Sequence, residues 1–518
     1  MACQAMATVI RTPFLYLASY IPAATVMMMP GQFKRAAMDG WVVDGTITVM
    51  KFQKQMGAGT NWVVDRIVNL VTDLCDSDFY FLVLPALLWF VDIQLGRWLT
   101  ILTTLGVSLG GVLKDIYRLP RPPPLLVWRD FAAGDSTGAK DFGFVSTHTA
   151  NAVTNSFGLL LFALHRGWLS GAEPLILLGW TLLALAYPVI IGASRLYLGL
   201  HTPLDVIGGA SLGAVLVVVG HSALPRLDAL LDSSSVAEVA IAVAAAGAFF
   251  GAAHPQARPH TVTFLHDMEL FGLALSSILG TKILQAGFVT DAAAAALPGW
   301  QSVGPSLRAS GGTAAFIAVS AVVGFSASGA VYLSSKIVGP ALVRMVLGID
   351  AKAVRRQIER APSTQRHQAA HVAVLVVRRL EAEGDPLDLL APGVAAEVDK
   401  EARRLTEEEE EQRPVDDISL AEPALGDSGR SGPSSLRNRR SVKEAAAKTE
   451  KSLRTGAAGV SLAEVPITVV PDEPAWRGVE LGACAFLKLF TYVSTGVGIC
   501  AVAPAMQSVL GLCAIATA

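Results

Sequence analysis

Charged residues are scarce in this chain. Asp, Glu, Lys and Arg make up 16% of its 518 residues, whereas an ordinary soluble protein carries about 25%. Hydrophobic residues make up 52% and gather in long blocks, which indicates an integral membrane protein rather than a large soluble core. The formal net charge of −2 offers no attraction for a nucleic acid, so we expect no nucleic-acid partner.

Cysteines and glycosylation signals are also scarce. The five cysteines form no CxxC pair and have no regular spacing, which argues against a disulfide framework and against a zinc site. No asparagine begins an Asn-x-Ser/Thr sequon. The sequence therefore gives no glycosylation clue to which loops face a lumen.

The apolar blocks and one charged stretch divide the chain into five predicted regions. These are an N-terminal apolar and interfacial region (1–76), a transmembrane core (77–224), further transmembrane spans (225–348), a charged and largely disordered insertion (349–477) and a C-terminal transmembrane segment (478–518). We expect an all-α, polytopic transmembrane helix bundle with about six helices in the core and about eight to nine spans in total. We interpret Ile10–Pro30 as an uncleaved apolar segment, Asn61–Leu74 as an interfacial helix and Glu401–Ala458 as disordered.

Three polar clusters lie at the ends of apolar blocks, and together they suit the cleavage of a phosphate ester. A transferring phosphoryl group spreads negative charge over its oxygens and needs fixed positive donors around it. Lys114 and Arg121 in the first cluster and Arg195 in the third can supply these donors. Guanidinium groups bind phosphate oxygens in pairs, and lysine acts as a point charge. Arg118 lies in the same stretch as Lys114, and we rank it lower.

The second cluster directly precedes an apolar block. If that block is a helix, Ser146 or Thr147 lies near its N-cap. A helix N-terminus presents free backbone N–H groups and the positive end of the dipole, which suits a bound phosphate. His148 would then stand at the edge of the phosphate, where it can protonate a leaving oxygen.

The third cluster has the pattern of a helix start. Thr202 at the N-cap, Pro203 at the first helical position and an acid at position 205 form that pattern. It would place Asp205 close enough to hold one ring nitrogen of His201, leaving the other nitrogen free to attack phosphorus. We predict that His201 takes the phosphoryl group while His148 protonates the leaving alcohol, and that water activated by His148 then hydrolyses the phosphohistidine.

Each cluster also has a structural explanation. Ser146 and Thr147 can be no more than a helix cap, and Asp205 can be only a capping-box acid. Lys114 and Arg195 can anchor spans at the membrane interface. The joint occurrence of the three clusters, in this order and at the ends of apolar blocks, favours the catalytic interpretation. The remaining histidines have no such setting, and we interpret them as structural or solvated.

These residues resemble the type 2 phosphatidic acid phosphatase superfamily, whose pattern is K-x6-R-P, then P-S-G-H, then S-R-x5-H-x3-D. The first and third motifs are matched in full spacing. In the second motif Ser146 and His148 are kept, while Val145 stands for the usual proline and Thr147 for the usual glycine. The matched positions are Lys114, Arg121, Pro122, Ser194, Arg195, His201 and Asp205.

The resemblance implies roles that agree with those argued from the residues. In that superfamily the histidine matching His201 is the nucleophile, the histidine matching His148 is the general acid, and the basic residues hold the phosphate. The resemblance also implies a phosphatase that needs no metal and no other cofactor, so residues 77–224 would be the phosphatase core.

Within the superfamily the chain looks most like sphingosine-1-phosphate phosphatases, also called long-chain-base phosphate phosphatases. That branch tolerates Ser or Thr in the glycine position, and the run Ser146–Ala152 is similar to it. The resemblance implies a phosphorylated lipid as substrate and a multi-pass protein of the endoplasmic reticulum with a lumen-facing site. A lumenal site leaves the basic stretch Lys34–Arg66 on the side that the positive-inside bias disfavours.

Other functions remain open on the sequence. Phosphatidic acid, a polyprenyl diphosphate or a sugar phosphate would need the same phosphate site with a different pocket. A transporter or an inactive lipid-binding relative is the alternative from another class, because charges inside a membrane also mark transport pathways. The sequence does not specify an oligomeric state.

Overall fold

The computed structural model of the chain describes residues 31–73, 75–128, 141–255, 263–347, 350, 353, 365–383, 390, 393–411 and 478–512. Within these residues the protein is all-α and contains no strand, as the sequence predicts. The helices are α1 (Gly31–Met56), α2 (Trp62–Asp73), α3 (Ser77–Phe90), α4 (Ile93–Tyr117), α5 (Thr147–His165), α6 (Pro174–Tyr197), α7 (Pro203–Ser233), α8 (Val236–Ala253), α9 (Thr263–Gln285), α10 (Phe288–Ala296), α11 (Val303–Leu347), α12 (Gln365–Glu383), α13 (Val394–Glu411), α14 (Gly478–Val497) and α15 (Ala503–Val509).

Six spans in this part of the chain are long and apolar enough to cross a membrane: α4, α6, α7, α8, α11, and α14 joined to α15 through a π turn. A seventh forms if α9 and α10, which are bent by 64°, make one broken span. Our expected total of about eight to nine also included α3 and α5. Helix α3 has only 14 residues, and α5 carries Asn151, Thr154 and Asn155 among its apolar residues. The predicted segment Ile10–Pro30 lies outside the described residues.

Helix α5 tolerates its polar residues because it lies among three other helices, α4, α6 and α7. The side chain of Asn155 is hydrogen-bonded across the interface with α4, where the Thr103 hydroxyl donates to its Oδ1 at 2.9 Å. Glycines bring α7 close to α5. A Cβ atom at Gly209 would lie 2.2 Å from the carbonyl oxygen of Ser146, and one at Gly213 would lie 2.6 Å from that of Ala150. Small residues of this kind allow helix backbones to approach closely in lipid.

The second half of the bundle packs against the first through α9. This helix contacts α4 on one side and α14 on the other. The indole N–H of Trp89 on α3 donates to the carbonyl oxygen of Ile499 at 2.9 Å, which joins α3 to the π turn after α14. Helices α3, α4, α9 and α14 therefore enclose a common space inside the bundle.

The N-terminal helices are attached to the core. Helix α1 packs on α6 and α7, and Gln53 donates to the carbonyl oxygens of Trp128 and Tyr197 at 3.0 and 2.8 Å. Helix α2 fits the predicted interfacial helix, since its apolar side chains Trp62 and Leu70 are exposed. These contacts fix α1 beside the start of α7.

Part of the charged insertion is ordered helix. Helix α12 buries Ala373, Val376 and Leu380 in the same cluster as residues of α1, so it lies on the same side of the bundle as the start of α7. Residues 401–411, which we expected to be disordered, form the end of α13. Their Glu, Arg and Ala residues are strong helix formers. The rest of the predicted disordered stretch, 412–458, lies outside the described residues.

Candidate active site

Four helix ends converge at one side of the core. Helices α4 and α6 end there, and α5 and α7 begin there. The main-chain N–H of Ser146 donates to the carbonyl oxygen of Asp205 at 2.9 Å, which joins the start of α5 to the start of α7. The hydroxyl of Thr72 donates to that of Ser194 near the end of α6, at 3.3 Å. The first cluster lies there too, because a Cβ atom at Gly143 would be 3.1 Å from Oδ2 of Asp205 and 3.2 Å from the carbonyl oxygen of Pro120. The three sequence clusters therefore meet, as the predicted chemistry requires.

His201 lies at this meeting point and is 2% exposed. Its Nδ1 lies 3.6 Å from Oδ2 of Asp205 and has no hydrogen-bond partner in the described part of the chain. Asp205 also completes the predicted capping box. Its Oδ2 accepts from the main-chain N–H of Thr202 at 2.7 Å, and the Thr202 hydroxyl accepts from the N–H of Asp205 at 3.4 Å. Asp205 thus both caps α7 and stands beside His201.

Positive charge surrounds His201. Burial lowers the pKa of the His201 imidazole well below its usual value, and the charges of Arg121, Arg195 and Lys114 lower it further. The ring is therefore neutral at pH 7 and keeps a lone pair on one nitrogen. This is the protonation state that a nucleophilic histidine needs.

We refer to Lys114, Arg121 and Arg195 as the cation cage. Lys114 lies in the last turn of α4, and Arg195 is buried in the last turn of α6. Arg121 follows α4 in the loop. Arg118, which we ranked lower, is exposed and ends α4 in the left-handed conformation, with φ of 53°. It donates through Nε to the carbonyl oxygen of Asp115 at 3.1 Å, so its described role is to cap the helix.

A carboxylate already lies in the cation cage. Oδ2 of Asp141 forms ion pairs with Nζ of Lys114 and, at 3.1 Å, with Nη2 of Arg121. The hydroxyl of Thr263, at the start of α9, donates to Oδ1 of Asp141 at 3.1 Å. Burial alone would raise the pKa of Asp141, but Lys114 and Arg121 outweigh it and hold the pKa below its usual value. A substrate phosphate would have to compete with this carboxylate for the same donors.

The second cluster forms the start of α5, as predicted. Ser146 is the N-cap residue, but its side chain makes no capping bond to the helix. Its hydroxyl instead accepts from that of Thr149 at 3.1 Å. Ser146 is buried, whereas Thr147 and His148 are half-buried and line a cavity. Ser146 thus occupies the N-cap position, but no side-chain capping bond supports the alternative that it is no more than a helix cap.

The cavity beside His148 has a volume of about 300 Å³. It runs between α3, α4, α9 and α14 into the interior of the bundle. Most of its walls are apolar, with Leu84 and Leu273 among the lining residues, and His266 and Glu269 add polar groups. Pockets of this size and character suit small or lipid-like ligands. In the described residues, no cluster of three or more His, Cys, Asp or Glu side chains could hold a metal ion.

The sequence analysis missed Asp141 and Thr263. Asp141 stands five positions before Ser146 in a stretch without periodicity, so its only sequence signal is an acid shortly before the second cluster. Thr263 had no local signal. It begins α9, and only the packing of α9 against α4 brings it to the cage.

A model of the PAP2 superfamily matches residues 95–228, which contain all of the residues predicted from the three clusters. The chain therefore carries a PAP2 superfamily domain that extends from α4 to α7.

Curated proteins are similar over part of the chain. A probable sphingosine-1-phosphate phosphatase of Dictyostelium discoideum is 36% identical over 146 residues, which cover 28% of this chain and 35% of that protein. Sphingosine-1-phosphate phosphatase 2 of Mus musculus is 32% identical over 167 residues, 32% of this chain and 44% of that protein. Lipid phosphate phosphatase delta of Arabidopsis thaliana is 26% identical over 283 residues, 54% of this chain and 66% of that protein. The first two matches thus span less than half of each relative. No solved structure matches the chain.

Proposed function

We propose that this protein is a membrane lipid phosphatase that hydrolyses the phosphomonoester of a sphingoid base 1-phosphate through a phosphohistidine. The observation that carries the proposal is a buried His201, 3.6 Å from Asp205 and close to three cations, inside a PAP2 superfamily domain. The named activities of the similar proteins from Dictyostelium discoideum and Mus musculus support the choice of substrate.

In the first proposed step, the phosphate displaces the Asp141 carboxylate and binds to the cation cage. The ring nitrogen of His201 remote from Asp205 then attacks phosphorus, forming a P–N bond as the P–O bond to the lipid breaks. His148 gives its proton to the departing alkoxide, which leaves as the lipid alcohol. The cage cations stabilise the negative charge on the phosphoryl oxygens throughout.

In the second proposed step, water replaces the lipid alcohol. His148, now neutral, takes a proton from the water as its oxygen attacks phosphorus. The P–N bond breaks, inorganic phosphate is released, and His201 regains its lone pair. Asp205 orients the His201 ring and compensates the positive charge that the ring carries while phosphorylated.

We further propose that the protein lies in the endoplasmic reticulum with the site facing the lumen, as the resemblance implies. The described structure places α1 and α12 on the side of the site, so the basic residues of α1 would be lumenal against the positive-inside bias. A D44C variant tests this, because Asp44 is exposed on α1. A membrane-impermeant maleimide should label it only in permeabilised microsomes, with the parent protein as background. Labelling in sealed microsomes would show that Asp44, and with it the site, faces the cytosol.

The decisive test is phosphate release by the purified full-length protein in the presence of a chelator. The substrates are sphingosine 1-phosphate, phosphatidic acid, a polyprenyl diphosphate and glucose 6-phosphate, with His201→Ala assayed beside the parent. We expect selective release from sphingosine 1-phosphate, lost in the variant, together with ³²P retained on acid-labile histidine after rapid quenching. Phosphate release from another of these substrates would support the proposed mechanism and reject the sphingoid base 1-phosphate as the substrate. No release from any of them would favour a transporter or an inactive lipid-binding protein.

A further inference from the structure

A charged cluster lies inside the bundle, outside the cation cage. It consists of His266 and Glu269 on α9 and Lys488 on α14. Nζ of Lys488 forms an ion pair with Oε1 of Glu269, and Nδ1 of His266 lies 3.6 Å from Oε2. The Glu269 side chain is only 10% exposed. Charges within apolar spans are costly to bury and commonly mark a site where a substrate or ion binds.

Helix α9 connects this cluster to the cation cage. Thr263 in its first turn donates to Asp141, the carboxylate that lies in the cage. An α-helix rises about 1.5 Å per residue, so Glu269 lies about 9 Å further along the axis. His148 and Glu269 line the same cavity, so an open path runs from the proposed general acid to the buried carboxylate. The atoms that follow a caged phosphate in its substrate would enter this path.

We propose that Glu269 is a specificity-determining residue that binds the primary ammonium group of a sphingoid base 1-phosphate, an inference that rests on the proposed function. In such a lipid the phosphate ester is on the first carbon and the ammonium is on the second. The ammonium therefore lies only a few bonds beyond the caged phosphate, where the path leads toward the carboxylate of Glu269. Phosphatidic acid and polyprenyl diphosphates carry no cation at that position, so they gain nothing from Glu269.

The carboxylate has capacity for this contact. An ionised carboxylate has about four acceptor positions, and Lys488 and His266 do not fill them. Half of the His266 side chain is exposed toward the cavity, so an ammonium can approach Oε2 from that side. Beyond Glu269 the apolar walls around Leu84 and Leu273 suit a single alkyl chain.

A second carboxylate, Asp76, also lines the cavity. It is exposed in the turn between α2 and α3, whereas Glu269 is buried between two apolar helices. A charge-assisted hydrogen bond is stronger where water is excluded. The burial of Glu269 therefore favours it over Asp76 as the residue that recognises the ammonium.

The experiment compares three substrates of matched chain length with the full-length protein in detergent: sphingosine 1-phosphate, its N-acetyl derivative and lysophosphatidic acid. Glu269→Gln keeps the size of the side chain and removes its charge. We expect its kcat/KM to fall about tenfold to one-hundredfold on sphingosine 1-phosphate and to change less than about threefold on the two substrates without an ammonium. Glu238→Gln, at an exposed capping residue of α8, is the matched control and should behave as the parent.

Because Glu269→Gln leaves Lys488 without its ion-pair partner, the variant can fail to fold. The double variant Glu269→Gln/Lys488→Met removes the pair together and should show the same selective loss. Equal losses on all three substrates would make Glu269 structural and overturn the proposal, as would a selective loss in Asp76→Asn and not in Glu269→Gln.

The parent protein separates this inference from the proposed function. Equal hydrolysis of sphingosine 1-phosphate and its N-acetyl derivative would overturn ammonium recognition while the phosphatase function stands. No phosphate release from any of the three substrates would overturn both. A preference for sphingosine 1-phosphate in the parent that persists in Glu269→Gln would keep the function and reject Glu269 as its determinant.

Discussion

Two buried histidines in this protein each stand beside a carboxylate, and they differ in how completely they are bonded. Both ring nitrogens of His254 lie within hydrogen-bonding distance of an oxygen. Nε2 is 2.8 Å from Oδ2 of Asp267, and Nδ1 is 2.8 Å from the carbonyl oxygen of Pro255. Nδ1 of His201 lies 3.6 Å from Asp205 and has no hydrogen bond in the described part of the chain. Burial next to a carboxylate therefore does not identify a catalytic histidine.

The surroundings explain the difference. His254 directly follows α8, and its bond to Asp267 holds the end of α8 against α9. His201 lies among the cations of the cage, where burial and positive charge keep it neutral. A histidine whose two ring nitrogens are both hydrogen-bonded stabilises the fold. A histidine with a ring nitrogen that makes no hydrogen bond, beside positive charge, is available to react.

The largest expected effect separates the two histidines directly. His201→Ala should lower kcat on the preferred lipid phosphate at least about a thousandfold, because no group remains to accept the phosphoryl group. His254→Ala should instead lower the midpoint of thermal unfolding in detergent, because it leaves the buried Asp267 without its partner. Its turnover per folded molecule should stay within about tenfold of the parent. Similar losses of turnover in both variants would contradict the comparison.

Asp205→Asn should lower kcat about one-hundredfold. The amide oxygen can still accept the capping bond from Thr202, but it cannot compensate a positive charge on His201. Thr202→Ala is the control for capping, since it should cost about 1 kcal/mol of stability and leave the carboxylate beside His201. Normal turnover in Asp205→Asn would mean that Asp205 only caps α7.

Asp141→Asn should strengthen inhibition by inorganic phosphate about tenfold. A neutral amide competes less well than a carboxylate for Lys114 and Arg121. The inhibition constant is measured against the preferred substrate, with the exposed Asp44→Asn as the control. Weaker inhibition in Asp141→Asn would show that Asp141 mainly orients the two cations.

The smallest expected effect is on the pH profile. Burial and nearby positive charge lower the pKa of His201 below the ordinary value of 6.5. The neutral form of the proposed nucleophile therefore persists as the pH falls through 6.5, and we expect activity to be lost only as the pH falls through the lower, folded-state pKa. The acid limb of kcat/KM should accordingly lie below pH 6.5. Arg195→Gln should move that limb upward, and an acid limb in the parent at or above pH 6.5 would contradict the assignment.

The sequence predicted that the three clusters would meet because motifs at successive helix ends leave little freedom. Apolar blocks that alternate in direction bring the end of α4, the start of α5, the end of α6 and the start of α7 to one side. The pattern of Thr202, Pro203 and Asp205 likewise predicted the capping box, because capping depends on three adjacent residues.

Features that depend on packing between distant segments could not be predicted. Asp141 fills the cage only because its neighbours pack on the end of α4, where the N–H of Gly143 donates to the carbonyl oxygen of Leu119. Glu269 reaches the cavity only because α9 packs between α4 and α14. The helix α12 was missed because its burial depends on α1, more than 300 residues earlier in the chain.

The main-chain bond from Ser146 to Asp205, together with the close contacts at Gly209 and Gly213, has an evolutionary consequence. The positions of the proposed acid and nucleophile relative to each other are set by backbone, which substitutions on the surrounding walls do not alter. The cavity walls come largely from α3, α9 and α14. Substitutions that accumulate on those walls can therefore change which ligands the cavity admits without moving the proposed acid and nucleophile relative to each other.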